Sequence, residues 1–107
     1  LTTVFFVHHN PDPDSDSALV DASRLLEIPT PRPAVKALVF GHTHVYSLDK
    51  VQGMHLINLP AVGFNFADGV PVGWMESAFS KQGLDLKLHA IAGETKDDGK
   101  SVSLSWR

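Results

Sequence analysis

Leu38-Val39-Phe40-Gly41-His42-Thr43-His44 is an apolar run that ends at a glycine and gives way at once to two histidines. From Ala37 to Phe40 the apolar residues are consecutive, which is the pattern of a strand buried on both faces inside a layered sheet. The same pattern stands near the start of the chain, in Val4-Phe5-Phe6-Val7, and it too is followed directly by histidines, in His8-His9-Asn10-Pro11. Between the two runs Ala18, Leu19, Ala22, Leu25 and Leu26 fall at helical spacing, with Asp21, Ser23, Arg24 and Glu27 on the opposite side. Residues 10–17 form a Pro/Asp/Ser loop in which Ser15, Asp16 or Ser17 suits a helix N-cap. Pro29, Pro31 and Pro33 end the helix and force an extended connector. Strand, helix and strand in this order predict two adjacent parallel strands that deliver both histidine clusters to one carboxyl edge, where ligand sites in open α/β sheets lie.

Downstream the texture becomes antiparallel. Residues 45–49 and 54–59 read as strands joined through Lys50-Val51-Gln52-Gly53, a hairpin turn. A loop rich in Gly, Asn and Pro runs to Pro71. Strands at 72–80 and 84–91 then surround Lys81-Gln82-Gly83, and in the second of them Leu84, Leu86, Leu88 and Ala90 alternate with Asp85, Lys87 and His89. That hairpin has one wet face. Residues 101–106 alternate as a last, edge strand.

With 43% hydrophobic and 20% charged residues, the 107 residues describe one soluble globular unit. Nine basic against twelve acidic side chains give a net charge of -3, which argues against binding a nucleic-acid polymer and leaves a small anionic substrate compatible. There is no cysteine, so disulfides, thiolate metal sites and thiol catalysis are excluded. No apolar run approaches the roughly 20 residues that span a bilayer, so no membrane partner is expected. The compartment stays open, a cytoplasmic one being favoured. The chain is already in a strand-like run three residues after Leu1, and something outside these residues is expected to cover that run.

Imidazole nitrogens suit iron, zinc and manganese-type centres, and Gly41 is read as permitting a backbone conformation that lets the chain approach an ion closely. An isolated His-x-His is more often a solvated or hydrogen-bonded pair. Two clusters at matched strand ends make that reading harder to sustain. His55, in a strand, and His89, on a polar face, are read as solvated or turn-paired. Phe64, Phe66 and Trp74 are read as packing residues rather than base-stacking ones. The Asp12, Asp14, Asp16 series lacks the Gly and Glu of a calcium loop and is read as solvated.

Phe6-Val7-His8-His9-Asn10-Pro11, followed after a helix by Gly41-His42-Thr43-His44, resembles the last two signatures of the calcineurin-like metallophosphoesterases. That superfamily includes purple acid phosphatases and class III cyclic-nucleotide phosphodiesterases. Leu56-Ile57-Asn58-Leu59-Pro60-Ala61 resembles its continuation past the final motif. The resemblance implies an α+β (α/β) chain, mostly β strands with one main helix near residues 16–27, forming the second half of a four-layer α/β/β/α sandwich. It implies two divalent or trivalent ions, iron, manganese or zinc, and hydrolysis of a small phosphomonoester or phosphodiester by metal-activated hydroxide. His8 and His42 would ligate one ion and His44 the other. His9 would face substrate or stand behind the ligands, and an exchange of roles between His8 and His9 stays open. Substrate contacts are placed in the 11–17 loop and around Gly63-Phe64-Asn65-Phe66, with Asn10 and Asn65 as candidates.

The family's Asp-x-His, Gly-Asp-x-x-Asp and Gly-Asn-His-Asp/Glu signatures have no counterpart here. They carry the bridging carboxylate, and without one, two cations about 3.5–4 Å apart repel each other. The expectation is therefore the C-terminal portion, residues 1–107, of a single metallophosphoesterase domain, inactive alone and holding at most one ion, weakly. Its partners would be the missing N-terminal half of the domain or, through exposed sheet, a second copy. The rival reading is a non-catalytic β-rich binding or oligomerisation module with at most a single His-bound metal.

Overall fold

The computed structural model describes residues 2–12, 14–15 and 20–107. A four-stranded sheet and a three-stranded sheet lie face to face, with one short helix on the outer side of the first. β1 (Thr3–Phe6), α1 (Ala22–Glu27) and β2 (Val35–Phe40) build the strand, helix, strand unit. β3 (Ser47–Val51) and β4 (Met54–Asn58) follow as a hairpin, and the sheet order is β1-β2-β4-β3. β1 pairs with β2 and β2 with β4 in parallel, while β3 pairs with β4 antiparallel. The hairpin turn is tighter than the four residues expected. Gln52 (φ 48) and Gly53 (φ 80) are both left-handed, the geometry that matches strand twist in a two-residue loop.

β5 (Pro71–Phe79), β6 (Gly83–Gly93) and β7 (Ser101–Ser105) form the antiparallel second sheet in that order. The alternation in β6 is realised: Leu84, Leu86 and Leu88 are buried, and Asp85 and Lys87 are exposed. Ala37, Val39 and Ile57 of the first sheet meet Leu84 and Leu86 of the second, and this contact is the core. Val39, Ile57, Leu84 and Leu86 each contribute about 1.5–3 kcal/mol on burial. Leu38, on the other face of β2, is fully buried, and on that side Leu26 of the helix lines a cleft with Phe40 and Leu56.

Three expectations change. The helix expected near 16–27 occupies Ala22–Glu27, with Ala22 buried and Leu25 and Leu26 half-buried as the stripe requires. Asp16 and Ser17 lie outside the described residues, and Ser15 stands well before the helix. Asp21 takes the N-cap position without a capping hydrogen bond. A helix this short depends on packing, not propensity. Second, β1 is not buried on both faces: it is an edge strand, and Phe6 is 66% exposed. Third, Trp74 is not a core residue. It lies on the outer face of β5, 47% exposed and stacked on His89 at 4.1 Å, while His89 donates to Glu76 at 2.8 Å.

His55, read as solvated or turn-paired, is 3% exposed, and its Nε2 donates to the Ser105 carbonyl at 2.7 Å, which ties β4 to β7. The chain end makes a second tie. Arg107 donates from Nε to Val35 O (2.9 Å), from Nη1 to Thr30 O (2.8 Å) and Gln52 O (3.1 Å), and from Nη2 to Pro29 O (3.2 Å) and Arg32 O (2.7 Å). One guanidinium thereby caps the proline connector and the hairpin turn. Among the described residues no helix is long and apolar enough to cross a membrane.

Arg107→Ala is expected to lower stability by about 1.5–3 kcal/mol, the worth of charge-assisted hydrogen bonds, and to lower the thermal midpoint by on the order of 10 °C. Arg107→Lys keeps the charge without the planar fork. Thermal unfolding should show it close to the alanine variant; recovery of the wild-type midpoint by lysine would mean that charge alone is enough.

Candidate metal centre

The ladder of β1 and β2 continues past both strands. Val7 N–H donates to Val39 O (2.9 Å) and Gly41 N–H to His8 O (3.0 Å), so the two histidine segments leave the sheet side by side. As a result His8 Nε2 and His42 Nδ1 stand 3.1 Å apart across 34 residues of sequence. His9 completes the cluster, its ring 4.3 Å from that of His42 and 5.0 Å from that of His8. His8, His42 and His44 line one cleft of about 320 Å³, with Phe6, Leu59 and Pro60 among its walls.

The backbone that turns these side chains inward is not the one expected. Gly41 is not left-handed, and a Cβ there would meet only ordinary contact, 3.9 Å from His8 O. The left-handed residues are His42 (φ 73) and His44 (φ 57), on either side of Thr43. Such a conformation is uncommon for non-glycine residues, costs roughly 1–3 kcal/mol each, and persists where surroundings hold it. Asn58 supplies the hold. It is buried at the carboxyl end of β4, and its Nδ2 donates to Thr43 Oγ1 at 2.7 Å. Asn58 was legible only as part of a loosely matching stretch, since its role depends on β4 lying beside β2.

His44 is positioned separately. Its Nδ1 is 2.8 Å from the Phe64 carbonyl, which can only accept, so Nδ1 carries the proton and Nε2 keeps its lone pair. Metal-ligating histidines commonly have this arrangement, the second nitrogen donating to a carbonyl. The His44 ring is stacked on Phe66 at 4.2 Å and edge-on to Phe64 at 4.8 Å. Both phenylalanines, read as packing residues, are exposed, at 58% and 70% for Phe64 and Phe66. The two candidate substrate contacts are not among the residues that line this cleft. Asn10 is buried and lines a neighbouring cleft with Thr43 and Asn58, and Asn65 donates to Val70 O at 2.8 Å within its own loop.

The donor set fits one ion in part. Two nitrogens each about 2.1 Å from a metal lie about 3.0–3.4 Å apart at octahedral to tetrahedral angles, and His8 with His42 meets that span. Among the described residues no group of three or more His, Asp or Glu is placed to hold an ion. Loss of hydration around the ring, then the positive potential of His9, His8 and His44, lowers the pKa of His42 below its usual value.

No family model matches the sequence, and no curated protein sequence matches it. Solved structures do. A dimetal phosphatase from Danio rerio matches with a TM-score of 0.74 at 12% identity, over 99% of this chain and 32% of that one. Vps29 of Entamoeba histolytica, complexed with Zn2+, matches with a TM-score of 0.55 at 17% identity, over 86% and 48%. A conserved Streptococcus pneumoniae protein, itself a predicted phosphoesterase, matches with a TM-score of 0.52 at 13% identity, over 73% and 45%. The chain has the calcineurin-like metallophosphoesterase fold, and it spans about a third to a half of the length of these structures.

Two outcomes follow from the geometry. Thr43→Val leaves Asn58 Nδ2 buried without its acceptor and is expected to cost about 1–3 kcal/mol, with loss of the His8–His42 ring contact in NOE spectra. In a histidine NMR titration His42 should protonate below its ordinary value of 6.5. Because its folded-state pKa is depressed, its contribution to stability is complete above about pH 6.5 and is lost as pH falls through the folded value. A His42 midpoint at or above that of an unfolded peptide would contradict the crowding of the four rings.

Proposed function

We propose that this chain supplies the histidine side of a metal-dependent phosphoesterase centre for small phosphomonoesters or phosphodiesters. The observation that carries the reading is the His8–His42 nitrogen pair, 3.1 Å apart at the carboxyl ends of adjacent parallel strands. His8 and His42 would hold one ion and the Nε2 of His44 would address the other, with His9 facing substrate or the ligands. Iron, manganese and zinc all suit imidazole donors. When bound, such ions polarise the phosphoryl group and lower the pKa of water. The residues here do the rest of the work on this side: Asn58 and Thr43 hold the turn, the Phe64 carbonyl fixes the tautomer of His44, and Phe6, Leu59 and Pro60 form the apolar wall of the cleft.

The carboxylate ligands would come from polypeptide beyond these residues, as the partial span of the matched structures suggests. The exposed Phe5, Phe6 and Phe79 along β1 and β5 mark where it would pack. By themselves residues 1–107 would bind at most one ion, weakly, and would not turn over substrate. The same open flank also supports the second reading, a non-catalytic β-rich module that associates through its sheet and holds at most one His-bound ion.

Zn2+ titration followed by histidine side-chain NMR separates them. The catalytic reading expects weak binding that shifts His8 and His42 together and is weakened at least about tenfold by His42→Ala. It also expects hydrolysis of bis(p-nitrophenyl) phosphate by a longer gene product and loss of that activity in the same variant. Zn2+ that leaves His8 and His42 unperturbed, or a tightly held ion indifferent to His42→Ala, would favour the module.

A further inference from the structure

We propose that the loop between β4 and β5, residues 59–70, is a stacking platform beside the histidine cleft, and that the phosphoester taken there carries a planar aromatic or heteroaromatic group. The inference rests on the phosphoesterase reading and names its substrate class.

Single exposed apolar side chains are ordinary on a protein surface. Phe64 and Phe66 differ because they are exposed together and arranged on a histidine of the cleft. Phe66 lies parallel to His44, at 4.2 Å and 15°. Phe64 meets both rings edge-on, at 4.8 Å and 66° to His44 and at 5.3 Å and 80° to Phe66. One face of Phe66 is therefore covered by His44 and one edge by Phe64, while the ring remains 70% exposed. A third ring laid on the open face would continue an existing parallel stack, the arrangement that aromatic quadrupoles favour when offset.

The loop is also held in place before any ligand arrives. Asn65 donates to Val70 O at 2.8 Å, and Gly73 N–H donates to Ala61 O at 2.9 Å, closing the loop at both ends. Gly93 (φ +65) packs beneath it so closely that a Cβ would lie 2.5 Å from Val70 O and 2.9 Å from Asn65 Nδ2. The Phe64 carbonyl that accepts from His44 belongs to the same loop. A platform fixed in this way loses little conformational freedom on binding. Its only charged residue is Asp68, so the loop carries no cation for a phosphate. Anion binding falls to the histidine cleft and ring binding to the phenylalanines, with His44 as the shared wall.

The test measures affinities of adenosine 5'-monophosphate, ribose 5-phosphate and adenosine for the 107-residue chain with Zn2+ present, by ligand-observed NMR. The monophosphate is expected to bind about tenfold or more tighter than ribose 5-phosphate, the worth of one base on one aromatic ring. Phe66→Leu should erase that difference and Phe66→Trp should keep it. The ring is exposed, so neither variant threatens folding. Equal affinity for the two phosphates, unchanged by Phe66→Leu, would overturn the platform and leave the phosphoesterase reading standing. Adenosine binding as well as its monophosphate would support the platform and overturn the phosphoester as what it takes. If none of the three binds, the platform falls. If Phe66→Leu changes only self-association, the rings are a protein contact and the inference is wrong.

Discussion

The parallel ladder between β1 and β2 is the interaction on which the rest of the structure depends. Its register pairs Phe6 with Val39 and carries on as Gly41 N–H to His8 O beyond the strands. A slip of β1 by one residue would turn Val4 out of the core and carry His8 away from His42, because side chains alternate strictly across a strand. The register is thus fixed twice, by burial of Ala37 and Val39 against Leu84 and Leu86 and by the strand-end hydrogen bond. The histidine cluster is a consequence of sheet geometry. The ladder brings the two segments side by side, and the turn held by Asn58 and Thr43 then sets the contact between residues 34 apart.

Beyond the strand ends the chain accepts strain to aim its side chains. His42 and His44 sit in left-handed backbone, and a buried Asn58–Thr43 hydrogen bond holds the residue between them. Functional sites are where such strain tends to be retained. The loop after β4 then completes the surroundings of His44 with one carbonyl and two rings. The turn after β2 and the loop after β4 meet only because β2 and β4 are neighbours in the sheet, with Phe40 opposite Asn58.

The two faces of the second sheet differ in how far they are covered. Outside, Glu76, Asp85, Lys87 and His89 give β5 and β6 a polar surface that water can satisfy. Inside, the core is closed near β2, β4 and β6 but open between β1 and β5, the edge strands of the two sheets, where Phe6 and Phe79 are exposed. Exposed strand edges with apolar side chains are templates for further pairing. The same flank borders the histidine cleft through Phe6.

Much of this was written in local sequence. Consecutive apolar residues before each histidine cluster marked β1 and β2, prolines ended the helix, and alternation from Leu84 to His89 gave β6 its faces, because side-chain period and backbone restriction act over a few residues. The candidate cluster His8, His9 and His42 was legible for the same reason, since strand ends fix which residues share an edge. Other features had no local signal. Asn58 as a brace, His55 as a tie between sheets, Arg107 as a cap on five carbonyls, and Phe66 as an open ring on His44 each join positions distant in sequence. Nor could pattern show where Asn10 and Asn65 stand relative to the clefts, or that the histidines and not Gly41 take the left-handed turn. Local sequence sets what each segment can form; which side chains meet is decided by register and packing between segments, and those exist only in the folded chain.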